Sequence, residues 1–250
     1  MSKGYIQQSS SSFAAPVLFA KKLDGGLQFC IDYWDINSKR IKNPYPLPLI
    51  KKTLNLLRKA KVYTKLHMRG AHNLLRVKEA DECTLVFQTR YGLFEPTVMQ
   101  FGTTNAPADF QGYTNNAIRE ALDDFASAYL DDVFIYHDSK EEHVCHVKWI
   151  LQRLLEAGLY LKRQKYEFHK ETVGYLGLIM STMGICMDED KIETIRNWRR
   201  EEKTENGRLK KLFEVQQFLG FCNFYWRFIP KYSEKAEPLT RFTKKDKPFL

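Results

Sequence analysis

The sequence predicts an α+β fold built on an antiparallel sheet, and three observations predict it. Short runs of β-branched and aromatic residues alternate with turn signals. Amphipathic stretches carry their own start and stop residues, and the two kinds of element follow no βαβ regularity. A length of 250 residues exceeds that of a usual single domain, so two or three subdomains are expected. A composition of 44% hydrophobic and 14% aromatic residues suffices to pack their cores.

The elements follow in order. "QQSSSS", residues 7–12, reads as a flexible loop. "PVLFAKK" and "LQFCIDY" are apolar runs either side of "LDGG", a hairpin signal. "NPYPLPLI", residues 43–50, carries three prolines in alternation, which excludes both helix and sheet interior and makes a stiff connector. Ile50, Leu54 and Leu57 then share one helical face, predicting a helix over 49–60. "KVYTKLHM" and "LLRVKE" read as strands joined at "RGAHN". Asn105 and Pro107 are helix-start signals for the stretch 103–122, in which Phe110, Thr114, Ala117 and Leu122 fall near helical spacing.

Residues 127–138, "SAYLDDVFIYHD", form a second hairpin with Asp131 and Asp132 at its turn. Ser139 with Glu142 makes a capping box that opens a helix, and Gly158 closes it. "VGYLGLIMSTMGICM", residues 173–187, reads as a strand pair turning near 182–184. From Asp188 onward helical segments dominate, interrupted by the charged stretch 199–211.

The formal charge of +9 is unevenly spread. Residues 1–78 carry 15 Lys/Arg against 3 Asp/Glu, residues 79–193 carry 10 against 20, and residues 194–250 carry 14 against 7. Basic flanks around an acidic centre suit a nucleic-acid polymerase or nuclease, in which cations hold phosphates and clustered carboxylates hold divalent metal. The five cysteines are odd in number and include no C-x-x-C pair, which argues for free thiols rather than a disulfide frame or zinc knuckle. With neither a long apolar run nor a signal-peptide hydrophobic region, the expectation is an intracellular protein, cytoplasmic or nuclear, that is not secreted and has no membrane partner.

Asp131 and Asp132 repel one another unless a cation lies between them, although Asp also suits surface turns for its own sake. His137, His143 and His146 with Cys145 invite a weaker zinc reading, since His143 and His146 share a helix face.

Six blocks occur in sequence: "FCIDYWDINSKRIKNPYPLP", "AKVYTKLHMRGAHNLLRV", "FQTRYGLFEPTVMQFGTTNAPADFQ", "AYLDDVFIY", "YLGLIMSTMGI" and "FLGFCNFYWRFIPKYS". Together they closely resemble the reverse transcriptase of Ty3/gypsy-type LTR retrotransposons across nearly the whole chain. The resemblance implies a right-hand polymerase fold with a central antiparallel palm sheet. Fingers would span 1–62 and 84–102, palm 63–83 and 103–187, and thumb 188–250 with the start of a connection. RNase H and integrase are not among these blocks. It further implies a primed RNA or DNA template and dNTPs as partners, and Mg²⁺, with Mn²⁺ as a second choice, as cofactor. Asp131 and Asp132 would be the catalytic, metal-binding carboxylates, and Lys22, His72, Phe101 and Tyr129 would contact the nucleotide.

The sequence departs from that pattern where the chemistry is most demanding. The third carboxylate of the family lies on the first palm strand, and here that position is His67. A nitrogen in place of a hard anionic oxygen suits Zn²⁺ or Mn²⁺ better than Mg²⁺. Losing one ligand of a two-metal centre is expected to cost on the order of 10³-fold in rate. His72, Gln28 and Trp34 replace a Tyr and two Arg of the family pattern. Asp123 and Asp124 are poor substitutes for the missing acid, since they precede the hairpin by about a strand length.

Overall fold

The structure is a computed structural model that describes residues 4–21, 25–58, 60–198 and 207–243. The chain forms two compact units, one running to Glu171 and the other starting at Thr172.

In the first unit, β1 (Ile6–Gln8) is followed by the hairpin of β2 (Val17–Lys21) and β3 (Leu27–Ile31), then by α1 (Trp34–Lys39) and α2 (Ile50–Leu57). The predicted hairpin pairs Phe19 with Phe29. Of its Asp-Gly-Gly turn, Asp24 lies outside the described residues and Gly25 stands at φ +82°. The loop expected at 7–12 is in part a strand: Gln7 and Gln8 pair with Glu95 and Phe94. Low-complexity composition is overruled here because a neighbouring strand edge takes the backbone donors that the side chains leave free.

β4 (Val62–His67) comes next, as predicted, but "LLRVKE" is not a strand. After a 3-10 turn at Ala71–Leu74, that segment makes only an isolated bridge from Arg76 to Val98. Its apolar residues serve packing, Leu74 and Leu75 resting on the main core. β5 (Phe87–Thr89) and β6 (Gly92–Pro96) form another hairpin, giving a three-stranded sheet in the order β1-β6-β5. Ala15, Ile31, Tyr33, Leu85 and Phe87 make its buried cluster.

α3 (Ala106–Ala117) carries Pro107 in its first turn, where the missing N–H costs nothing. Asn105 does not cap it. Its amide instead ties down the connector, accepting from Asn43 N at 3.0 Å and donating to Ile41 O at 3.0 Å. β7 (Ala126–Tyr129) and β8 (Asp132–His137) form the predicted hairpin, α4 (Lys140–Glu156) follows, and β9 (Glu167–Lys170) ends the unit. Ser139 caps α4 by accepting from Glu142 N, and Gly158, at φ +67°, ends the helical segment.

The sheet that carries the hairpin has strand order β7-β8-β4-β9, all antiparallel. β4 is therefore central, although it lies about seventy residues before its partner β8. Helices α3 and α4 cover the sheet, and the core of Leu66, Met68, Phe110, Val133, Ile135, Ile150 and Leu154 lies between them.

In the second unit, β10 (Thr172–Tyr175), β11 (Leu178–Ser181) and β12 (Gly184–Met187) form a three-stranded meander where the sequence suggested two strands. The extra turn falls at Leu176 and Gly177, both at positive φ, where Tyr-Leu-Gly-Leu had read as continuous strand. α5 (Glu189–Arg196), α6 (Gly207–Phe224) and α7 (Tyr232–Phe242) complete it. Most of the charged stretch 199–211 lies outside the described residues. Among the described residues no helix is long and apolar enough to cross a membrane.

Candidate active site

The sheet register brings the expected residues together. β4 ends on His67 and β8 begins on Asp132, and these two residues are paired across the antiparallel ladder. One step further, Met68 N donates to Asp131 O at 2.8 Å, so the backbone holds both aspartates beside the end of β4. Tyr129 pairs with Asp132 from the other side.

The turn between them is held from below. Gln111, fully buried on α3, donates through Nε2 to Ala128 O at 3.0 Å and accepts through Oε1 from Leu130 N at 2.7 Å. Leu130 takes a left-handed φ of +51°, a conformation a leucine adopts only where the surroundings impose it.

His67 bridges the acid pair. Its Nδ1 is 2.9 Å from Asp132 Oδ1 and its Nε2 is 3.5 Å from Asp131 Oδ2. Two lysines complete the cluster. Lys65 Nζ lies 3.5 Å from Asp132 Oδ2, and Lys165 Nζ lies 3.3 Å from His67 Nε2. Asp131 is the more open carboxylate, its side chain 47% exposed against 27% for Asp132.

Two of these groups escaped the sequence reading. Lys65 could have been found, since it stands two residues before His67 and shares its face of the strand. Lys165 had no local signal, because it arrives from another segment of the chain.

The other expected site residues are scattered or open. Lys22 lies outside the described residues, as does the side chain of His72, whose backbone sits in the 3-10 turn Ala71–Leu74. Phe101 is 57% exposed in the turn before α3. Gln28 is on β3, and Trp34, at the start of α1, is 83% exposed. Asp123 stands at the far end of β7 from Asp131 and pairs with Lys52 at 2.5 Å.

The histidines after the hairpin face different surroundings. His143 is fully buried against Thr64 Oγ1 at 2.8 Å, and burial first, then His169, His137 and His146, lowers its pKa to about 4. His146 stacks on Phe125 at 3.8 Å. Among the described residues no three His, Cys, Asp or Glu side chains are arranged to hold a metal ion.

Residues 20–180 match the family described as reverse transcriptase (RNA-dependent DNA polymerase). Over 246 residues, 98% of the chain, the sequence is 36% identical to the Transposon Tf2-3 polyprotein of Schizosaccharomyces pombe, and equally to the Tf2-4 polyprotein. The chain spans only 18% of the length of each. Among solved structures, the foamy viral protease-reverse transcriptase in complex with an RNA/DNA hybrid is similar with a TM-score of 0.82 and 20% identity, covering 95% of this chain and 31% of that one. A form of it in complex with double-stranded DNA gives 0.85 and 21%, covering 96% and 41%. The paired aspartates on a central antiparallel sheet, the matched span and the relatives agree: the chain belongs to the reverse transcriptase family, as a domain of the Ty3/gypsy retrotransposon type.

Proposed function

We propose that the chain engages a primed RNA or DNA template and dNTPs as a reverse transcriptase domain, with nucleotidyl transfer severely weakened by His67. In this reading the fingers are 1–62 and 84–102, the palm 63–83 and 103–187, and the thumb 188–250 with the start of a connection. The nucleic-acid complexes of the foamy viral structures support the nucleic-acid partner. In this reading Asp131 and Asp132 are the metal-binding acids, and Lys22, His72, Phe101 and Tyr129 approach the nucleotide.

One observation carries the weakening. His67 Nδ1 lies 2.9 Å from Asp132 Oδ1 while Lys65 sits 3.5 Å from the other oxygen, so both oxygens of Asp132 are taken by groups of this chain. Divalent cations in such sites activate the primer hydroxyl and offset phosphoryl charge. The donor set present does not fit a pair of Mg²⁺ ions, which demand hard oxygens in octahedral array. By donor chemistry alone an imidazole beside two carboxylates suits Mn²⁺ better than Mg²⁺, but the three side chains are not arranged around an ion and would have to turn to hold one. What the chain's own residues do is hold the hairpin in register and neutralise Asp132. The same occupied geometry favours a second reading, a binding module that keeps its basic surface without turnover.

Primer extension on an annealed RNA template, in Mg²⁺ and then Mn²⁺, tests this. The unaltered chain should extend poorly in Mg²⁺ and better in Mn²⁺. His67→Asp should raise the Mg²⁺ rate by about 100-fold or more, and Asp131→Asn should abolish it. Equal rates for the unaltered chain and His67→Asp would overturn the weakening. Salt-sensitive template binding with no extension by either would establish the binding module.

A further inference from the structure

Where α3 meets the connector after α1 and the segment 75–78, the first unit holds a hollow of about 470 Å³. Neither aspartate of the candidate active site lines it, nor do His67, Lys65 or Lys165. Its surface includes the buried Leu85 and Met99 and the partly exposed rings of Tyr45 and Tyr113. Three cations, Arg40, Arg76 and Lys78, share the lining with two acids, Asp81 and Asp109. Among the described residues no ion pair joins these cations to an acid. The hollow therefore sets an excess of one positive charge beside apolar and aromatic surface.

Both walls are tied down by the fold itself. On one side the connector is fastened to α3, with Asn43 Nδ2 donating to Asp109 Oδ1 at 2.6 Å and Asn115 Nδ2 to Tyr45 Oη at 2.9 Å. On the other, Arg76 bridges Val98, Val77 N donates to Thr97 O at 3.0 Å and Met99 N to Leu75 O at 2.8 Å. The Tyr113 hydroxyl donates to Ala157 O at 2.8 Å. With both tyrosine hydroxyls engaged, what these side chains offer a guest is ring surface rather than a polar tip. A site built in advance loses little freedom when it is filled.

We propose that this hollow binds a planar aromatic monoanion, of the class of a fused-ring carboxylate. An excess of one positive charge matches one carboxylate, whereas the further charges of a polyanion would face Asp81 and Asp109. A guanidinium holds a carboxylate through paired hydrogen bonds and also stacks on a ring, so Arg40 and Arg76 suit both parts of such a ligand. The hollow's size, apolar surface and few charged groups are those of a small-molecule site. It shares no residue with the acid pair, so it stands whether or not the chain extends a primer.

Calorimetric titration of the full chain with sodium 2-naphthoate tests it, with the uncharged isostere 2-naphthamide and a single-stranded oligonucleotide in separate runs. Naphthoate should bind saturably and about tenfold more tightly than the amide. Replacing both Arg40→Gln and Arg76→Gln should weaken naphthoate about tenfold and the amide by less than about twofold, while the exposed control Arg119→Gln should leave both nearly unchanged. Arg76→Gln alone, a change at an exposed residue, should give part of the loss with an unmoved thermal midpoint. Absence of saturable binding, an amide that binds as tightly as naphthoate, equal loss in the control, or unchanged binding by the double variant would overturn the proposal. An oligonucleotide that displaces naphthoate and weakens in the same variants would replace it with a nucleic-acid contact.

Discussion

Gln111 Oε1 accepts the amide of Leu130 at 2.7 Å, joining helix α3 to the turn that presents Asp131 and Asp132. The same side chain satisfies Ala128 O, so one buried amide closes both backbone groups of a strained turn. Gln111→Leu would leave these groups buried and unpaired, and should cost about 2–3 kcal/mol in chemical denaturation. Leu130→Gly, which relieves the left-handed φ but loses a side chain, should change stability by less than about 1 kcal/mol.

His67→Asp should trade folding stability for metal response. It removes the 2.9 Å contact to Asp132 and sets three carboxylates together. In EDTA the variant should unfold at a lower temperature than the unaltered chain, by the equivalent of about 1–2 kcal/mol. Millimolar Mg²⁺ should recover that loss in the variant and leave the unaltered chain nearly unmoved, as differential scanning calorimetry would read.

Acid should weaken the fold through His143. Its pKa falls from 6.5 to about 4 in the fold, chiefly by burial and then by the charges of His169, His137 and His146. Above pH 6.5 both states are neutral and the group contributes no pH dependence. Between pH 6.5 and 4 the unfolded chain takes up a proton that the fold resists, so stability drops by up to about 3 kcal/mol and levels off below pH 4. Urea midpoints at stepped pH should show this slope, and His143→Gln should flatten it.

Gly177 is required by contact as well as by conformation. It sits at φ +76°, and a Cβ there would come within 2.4 Å of Tyr225 Oη and 3.2 Å of Lys191 Cε. Gly177→Ala should therefore destabilise the second unit by about 2–4 kcal/mol, and limited proteolysis should cut between 172 and 243 sooner than in the unaltered chain.

The sequence by itself determined whatever rests on near neighbours. Ser139, Glu142 and Gly158 bounded α4, Pro107 opened α3, and the strand-turn-strand pattern around Asp131 and Asp132 gave their hairpin. Caps, turns and periodicity act over a few residues, so they are written locally. Its six ordered blocks also carried the family.

Tertiary structure alone decided the rest. Gln7 and Gln8 became a strand because β6 offered an open edge, and "LLRVKE" did not because it found only one bridge. β4 became the central strand by pairing with β8 and β9 far along the chain. The sequence showed that His67 stood where an acid was expected, but not that it turns onto both aspartates with Lys65 and Lys165 around it. A polar side chain takes whichever partner packing delivers from distant segments, and those distances are fixed only when the sheet closes its register.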